Sequence, residues 1–171
     1  KNLVFSAKSG AEDQLHIVNI KNEKITRSIE LGLESIYHAS WSPRGDAIAF
    51  MGVYHGQADI YIYDLEAEVL RKITNDPFSN IEPSWSPDGA KLIFASDRND
   101  YLYDPPANFM PEQLELKDYD IFEINVDGTG LRKLVDTDFL DRAPIYSPAG
   151  DYIAFQSDRS GVTNIYLKDL D

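Results

Sequence analysis

Cysteine is absent from the 171-residue sequence. Structural disulfides, cysteine–zinc sites and thiol chemistry are therefore excluded. No apolar run approaches the roughly 20 residues a helix needs to span a bilayer, so membrane insertion is not expected. Positive charge is scarce, with 16 Lys and Arg against 29 Asp and Glu, a net charge of −13. A nucleic-acid backbone or an anionic membrane surface would be repelled by such a chain, so no nucleic-acid partner is expected. The three histidines, His16, His38 and His55, have no metal-ligand spacing, and the D-x-[DN]-x-[DN]-G calcium loop is missing, so no metal site is expected. There is no G-x-S-x-G, because Ser42, Ser86 and Ser147 are each followed by proline. No H-E-x-x-H, P-loop or dinucleotide fingerprint occurs. No catalytic residue and no cofactor are expected within these residues. The sequence opens on Lys1 rather than Met, which leaves targeting open.

What is present is a globular composition, 43% hydrophobic and 26% charged. At this length about two-thirds of the unfolded surface can be buried in a core. The dominant feature is repetition. Ser-Pro pairs stand at Ser42-Pro43, Ser86-Pro87 and Ser147-Pro148, each preceded by an aromatic (Trp41, Trp85, Tyr146) and followed by a glycine (Gly45, Gly89, Gly150). A phenylalanine lies seven residues past each proline: Phe50, Phe94 and Phe155, with Phe5 in a fourth, shorter copy. LHIVNI (15–20), IYIYDL (60–65), IFEINV (121–126) and IYLKDL (165–170) align in turn, and EKITRSI (23–29), EVLRKIT (68–74) and GLRKLV (130–135) follow them. One insertion over residues 99–118 accounts for the longer third period.

No segment carries a 3.6-residue period with caps. The runs are short, β-branched and aromatic, and turn residues punctuate them. Trp85-Ser86-Pro87-Asp88-Gly89 reads as a strand entering a tight turn, with proline presetting φ at the first central position. Each repeat is then four strands, a to d, and about 44 residues per four strands is the size of a propeller blade. A lone blade cannot bury both its faces, so blades must stack around an axis. The chain reads as a single all-β propeller domain or fragment over residues 1–171, about three and a half four-stranded blades, part of a larger ring. Its expected parts are a partial blade 1–32, a blade 33–76, a blade 77–137 carrying the insertion 99–118, and a partial blade 138–171.

PSWSPDGAKLIFASDR (83–98) followed by YDIFEINVDGTGLRKL (119–134) resembles the WD-like repeat of TolB-type propellers, and APIYSPAGDYIAFQSDRSGVTNIYLKDLD (143–171) is similar to it. HASWSPRGDAIAFMGVYHGQADIYIYDLEAEVLRKIT (38–74) is a weaker copy without the Ser-Asp-Arg. The resemblance implies fold more than function, since one repeat serves many proteins. It implies a non-enzymatic scaffold that binds a protein or peptide on its rim face, in a periplasmic or exported bacterial setting, with a cytoplasmic one left open. A second implied reading is the substrate-gating propeller of a larger prolyl oligopeptidase-like or tricorn-like peptidase, whose catalytic domain lies outside these residues. A third is a propeller that binds a glycan or small ligand.

Trp41, Trp85 and Tyr146 are expected to pack between blades, because a repeated aromatic is what a stacked core uses. Asp97-Arg98 and Asp158-Arg159 recur at one repeat position, which fits turn hydrogen bonds and an ion pair rather than acid–base chemistry. Asn19, Asp64, Asn125 and Asp169 are expected to start the c–d turns. The candidate partner-binding residues fall in two groups. Strands alternate in direction, so the insertion rises on the same face as the d–a connections. It carries Tyr101, Tyr103, Phe109 and Met110, the side-chain types that anchor interfaces. The d–a rim contributes Tyr37, His38, Asn80, Glu82, Asp141 and Arg142, which are expected to precede strand a and face the central opening.

Overall fold

The computed structural model describes residues 1–99, 101–102 and 119–170. Among the described residues it holds fourteen strands and no helix. They form four antiparallel sheets in chain order. The first has three strands, β1 (Asn2–Ser9), β2 (Glu12–Asn19) and β3 (Lys24–Glu30). The second has four, β4 (Ser35–Trp41), β5 (Ala47–Tyr54), β6 (Gln57–Asp64) and β7 (Val69–Lys72). The third has β8 (Asn80–Trp85), β9 (Lys91–Ser96), β10 (Asp120–Asn125) and β11 (Arg132–Val135). The fourth has β12 (Asp141–Tyr146), β13 (Tyr152–Ser157) and β14 (Asn164–Asp169). Each sheet is a meander, and the expected propeller architecture is what the chain adopts.

The turns explain why the elements stop where they do. In each Ser-Pro turn the glycine amide donates to the serine carbonyl, at 2.9, 2.9 and 3.0 Å for Gly45, Gly89 and Gly150. Those glycines have φ of 74°, 72° and 81°, the left-handed region that a side chain disfavours. The serine hydroxyl accepts from the backbone that leaves the turn, as Ser42 Oγ does from Asp46 and Ala47. At the c–d turns Asp64 accepts from the amides of Glu66 and Ala67, and Asn19 from that of Lys21.

The core is three apolar layers, one between each pair of successive sheets. Val4, Leu15 and Ile17 of the first sheet meet Ile48, Phe50 and Tyr61 of the second. Ala49, Ile60 and Ile62 meet Leu92, Phe94 and Phe122. Ile93, Ala95 and Ile121 meet Ile153 and Phe155. The two inner sheets are apolar on both faces because each is covered twice. Trp41, Trp85 and Tyr146 pack on these three layers in turn. The Trp85 indole also donates to the Ser40 carbonyl of the previous sheet at 3.2 Å. A cross-strand aromatic pair recurs in every sheet: Phe5–His16, Phe50–Tyr61, Phe94–Phe122 and Phe155–Tyr166, with centroids 5.3 to 6.2 Å apart.

Candidate partner-binding face

Of the first strands of the second, third and fourth sheets, β4 contacts β8 and β8 contacts β12 across sheet boundaries. They are the inner strands of the arrangement. Each is irregular at one place: pairing with the next strand slips between Tyr37 and Ser40, between Ile81 and Ser84, and between Arg142 and Ile145. At the centre of each slip stands a non-glycine residue with positive φ: His38 at 54°, Glu82 at 56° and Ala143 at 49°. The three occupy one repeat position, three residues before the Trp or Tyr. A bulge of this kind lengthens one strand, bends it and re-aims its side chains. A left-handed non-glycine residue costs of order 1–3 kcal/mol and persists only where its surroundings hold it.

The bulges border a cleft of about 260 Å³ lined by His38, Ser40, Glu82, Pro83, Ser84, Ala143, Pro144 and Ile145. Ile145 is 56% exposed there, a large apolar side chain open to solvent. The Glu82 carboxylate crosses to the next sheet, where it accepts from Arg142 Nη2 at 2.7 Å and from the Ala143 amide at 2.7 Å. That tie holds the third bulge in its strained conformation. The buried Ser40 hydroxyl and Arg142 Nε have no protein partner among the described residues. The cleft thus presents an apolar anchor and a fixed carboxylate, and among the described residues no group of three or more His, Asp or Glu side chains could hold a metal.

The sequence-based candidates separate on this frame. His38 and Glu82 line the cleft, Arg142 joins it through Glu82, and Tyr37 is exposed on β4 beside it. All of them lie within the first strand, at its bulge, and not ahead of it as expected. Asn80 and Asp141 need correction: both are 0% exposed and face inward. Asn80 accepts from buried Arg98, whose guanidinium also bonds Asp76 at 2.9 Å and lies over the rings of Phe78, Phe94 and Phe122 at 5.2–5.8 Å. Asp141 does the same for Arg159, at 3.1 Å. The Asp of each Asp-Arg pair binds a backbone amide instead, Asp97 that of Ser79 and Asp158 that of Leu140. Together they fasten the loop after the second strand to the connection entering the first. Burial holds the Asp97 carboxyl above the usual carboxylate range, with the Ser79 hydrogen bonds opposing it.

Tyr101 stacks on Phe78, with centroids 5.8 Å apart and planes at 15°. Tyr103, Phe109 and Met110 lie outside the described residues. The residues that sequence reasoning missed are Ser40, Pro83, Ser84, Ala143, Pro144 and Ile145. Their one signal was position, since each sits within two residues of the recurrent left-handed site, and no residue type marks that site.

The family model described as the TolB beta propeller domain matches residues 33–104. An uncharacterized protein of Agrobacterium fabrum is 28% identical over 145 residues, which cover 85% of this chain and 43% of that protein. A protein TolB homolog of Chlorobium luteolum is 30% identical, covering 74% of this chain and 35% of the homolog. The chain therefore spans less than half the length of these curated relatives. The crystal structure of TolB from Acinetobacter baumannii superimposes with a TM-score of 0.73 at 19% identity, over 99% of this chain and 38% of that one. Four meandering sheets with apolar layers between them, the repeated Ser-Pro turn and these matches place the chain in the TolB-like β-propeller family.

Proposed function

We propose that the chain is a non-enzymatic scaffold that holds a protein or peptide segment on the face where the bulges of β4, β8 and β12 open. The observation that carries this reading is the strained backbone at one position in three neighbouring inner strands, around a cleft with an exposed Ile145. Backbone strain concentrates at sites where geometry serves a ligand. Ile145 supplies apolar area, exposed His38 supplies hydrogen-bonding groups, and an acidic chain favours a neutral or basic partner. Tyr101, Tyr103, Phe109 and Met110 belong to the same proposal as additional anchors on that face. The TolB homolog among its bacterial relatives supports an exported, periplasmic setting as part of this reading.

The test uses peptides selected by display against the 171-residue chain. Ile145→Asp should weaken their binding by roughly tenfold or more, the cost of losing one apolar anchor. Deleting residues 103–116 should weaken it as well while moving Tm by less than about 4 °C. Peptides that bind both variants as well as the parent chain would remove the cleft and the insertion from the site.

A further inference from the structure

The seam between the third and fourth sheets carries a second site, lined by other residues than the cleft at the bulges. The preceding seam supplies the comparison. There Ala47 of β5, Ile62 of β6 and Trp85 of β8 pack into one apolar layer. Arg71, opposite Ile62, crosses to the next sheet and donates to the Val126 carbonyl at 3.0 Å, as Arg27 does to the Leu65 carbonyl one seam earlier at 2.9 Å. At the same four repeat positions the later seam has Lys91, Glu123, Tyr146 and Arg132. Three core residues are exchanged for polar ones together, and the arginine changes partner. Glu123, its side chain 5% exposed, accepts from Arg132 Nε at 2.7 Å, Lys91 Nζ at 2.8 Å and the Tyr146 hydroxyl at 2.6 Å. A buried ion cluster is no more stabilising than an apolar seam of similar volume, so stability does not account for the exchange.

These four side chains line a cleft of about 320 Å³. Arg132 and Lys91 are 53% and 38% exposed, and among the described residues both Nη atoms of Arg132 are without a protein partner. Two cations therefore face the cleft against one buried carboxylate. Pro87 and Leu170 give the wall its apolar part, and exposed Asp88 is tied back to the Ser86 hydroxyl at 2.6 Å and the Ala90 amide at 3.0 Å. We propose that this seam binds a small organic monocarboxylate. Its oxygens take the paired Nη donors of Arg132 and the Lys91 ammonium, and its apolar part lies against Pro87 and Leu170. Glu123 is a positioning residue that holds the two cations in place. Asp88 repels a second negative charge, which selects a monoanion over a dianion.

Butyrate is the probe, titrated at constant ionic strength into the 171-residue chain with arginine, lysine and leucine side chains labelled for NMR. It should move the Arg132 and Lys91 nitrogens and the Leu170 methyls along one saturating curve, with a Kd of about 1–10 mM. Sulfate, a dianion, should bind at least about fivefold more weakly. Arg132→Lys keeps a cation beside Glu123 but loses the paired donors, so it should weaken butyrate about fivefold or more. Arg71→Lys, the matching change one seam earlier, should leave the affinity within about twofold. No saturating shift below about 50 mM butyrate, sulfate binding as tight as butyrate, or an Arg132→Lys chain that binds butyrate like the parent overturns the proposal. If a variant fails to fold, the parent titration and the sulfate contrast decide it alone.

Discussion

Buried charged residues depart from the apolar logic of the layers. Glu123 stands where the other sheets have Ile17, Ile62 and Leu167. Burial alone would raise its pKa, but hydrogen bonds from Arg132 at 2.7 Å, Lys91 at 2.8 Å and the Tyr146 hydroxyl at 2.6 Å outweigh it and hold the carboxyl down at about 2. The folded value lies below the ordinary 4.5, so the contribution is complete above about pH 4.5 and is lost as pH falls through 2. It amounts to something on the order of 3 kcal/mol. Burial pushes Asp59 and Asp120 the other way, so they resist folding when ionised and offset part of this slope on acidification. Glu123→Gln should flatten the fall in urea midpoint between pH 5 and about pH 2.5; parallel profiles for the two proteins would contradict it. Arg98, 2% exposed, gives a second contrast with Arg159, which holds the same repeat position at the open end of the array. Arg98→Met strands Asp76 and Asn80 and should cost about 3–5 kcal/mol. Arg159→Met should cost about 1–2 kcal/mol, because Arg159 is itself partly open to water and buried Asp141 keeps the Thr137 hydroxyl as a donor. Equal losses in denaturant titrations would mean that burial does not set the difference.

At the level of the strand, the bulge separates positions that share a backbone and differ in side-chain duty. His38 is exposed and held at φ 54°, so His38→Gly relieves strain without removing a buried contact. It should stabilise by up to about 1 kcal/mol, a rise in Tm of roughly 2–4 °C. Glu82→Gly relieves the same strain but breaks the bonds to Arg142 and the Ala143 amide, so it should destabilise by about 1–2 kcal/mol. Melting curves moving in the same direction for both would refute this division. The bulge itself was not legible in the sequence. Its three positions read His38, Glu82 and Ala143, which share no propensity, and only the slip of pairing exposes them.

Across the whole molecule, the ends of the array differ from its middle in burial. At one repeat position Leu15, Ile60 and Ile121 are 0% exposed and Ile165 is 65% exposed. At another, Phe50, Phe94 and Phe155 are 0–3% exposed and Phe5 is 36% exposed. The residue types match at each position, so burial there is set by whether a second sheet lies against the face. Ile165→Thr should therefore leave the stability of these 171 residues within about 0.5 kcal/mol, while Ile121→Thr should cost about 2 kcal/mol or more. Similar losses for the two variants in urea titrations would show that neighbouring sheets do not set the cost.

Much of this protein was legible in one dimension. Four landmarks in fixed register set the strand count, the turns and the radial stacking, because a sheet apolar on both faces has no other way to leave water. The repeated aromatics were recognisable as packing because they recur with the blade, and the Asp-Arg pairs as structural, although each Arg pairs with an Asp elsewhere in the chain. Tertiary structure alone decided which polar rim residues meet. Asn80 and Glu82 are two residues apart, yet a slip of pairing between Ile81 and Ser84 sends one inward to Arg98 and the other across to the next sheet. Alternation along a strand is local, whereas a bulge is settled by what neighbouring sheets press against it, and that contact lies far away in sequence.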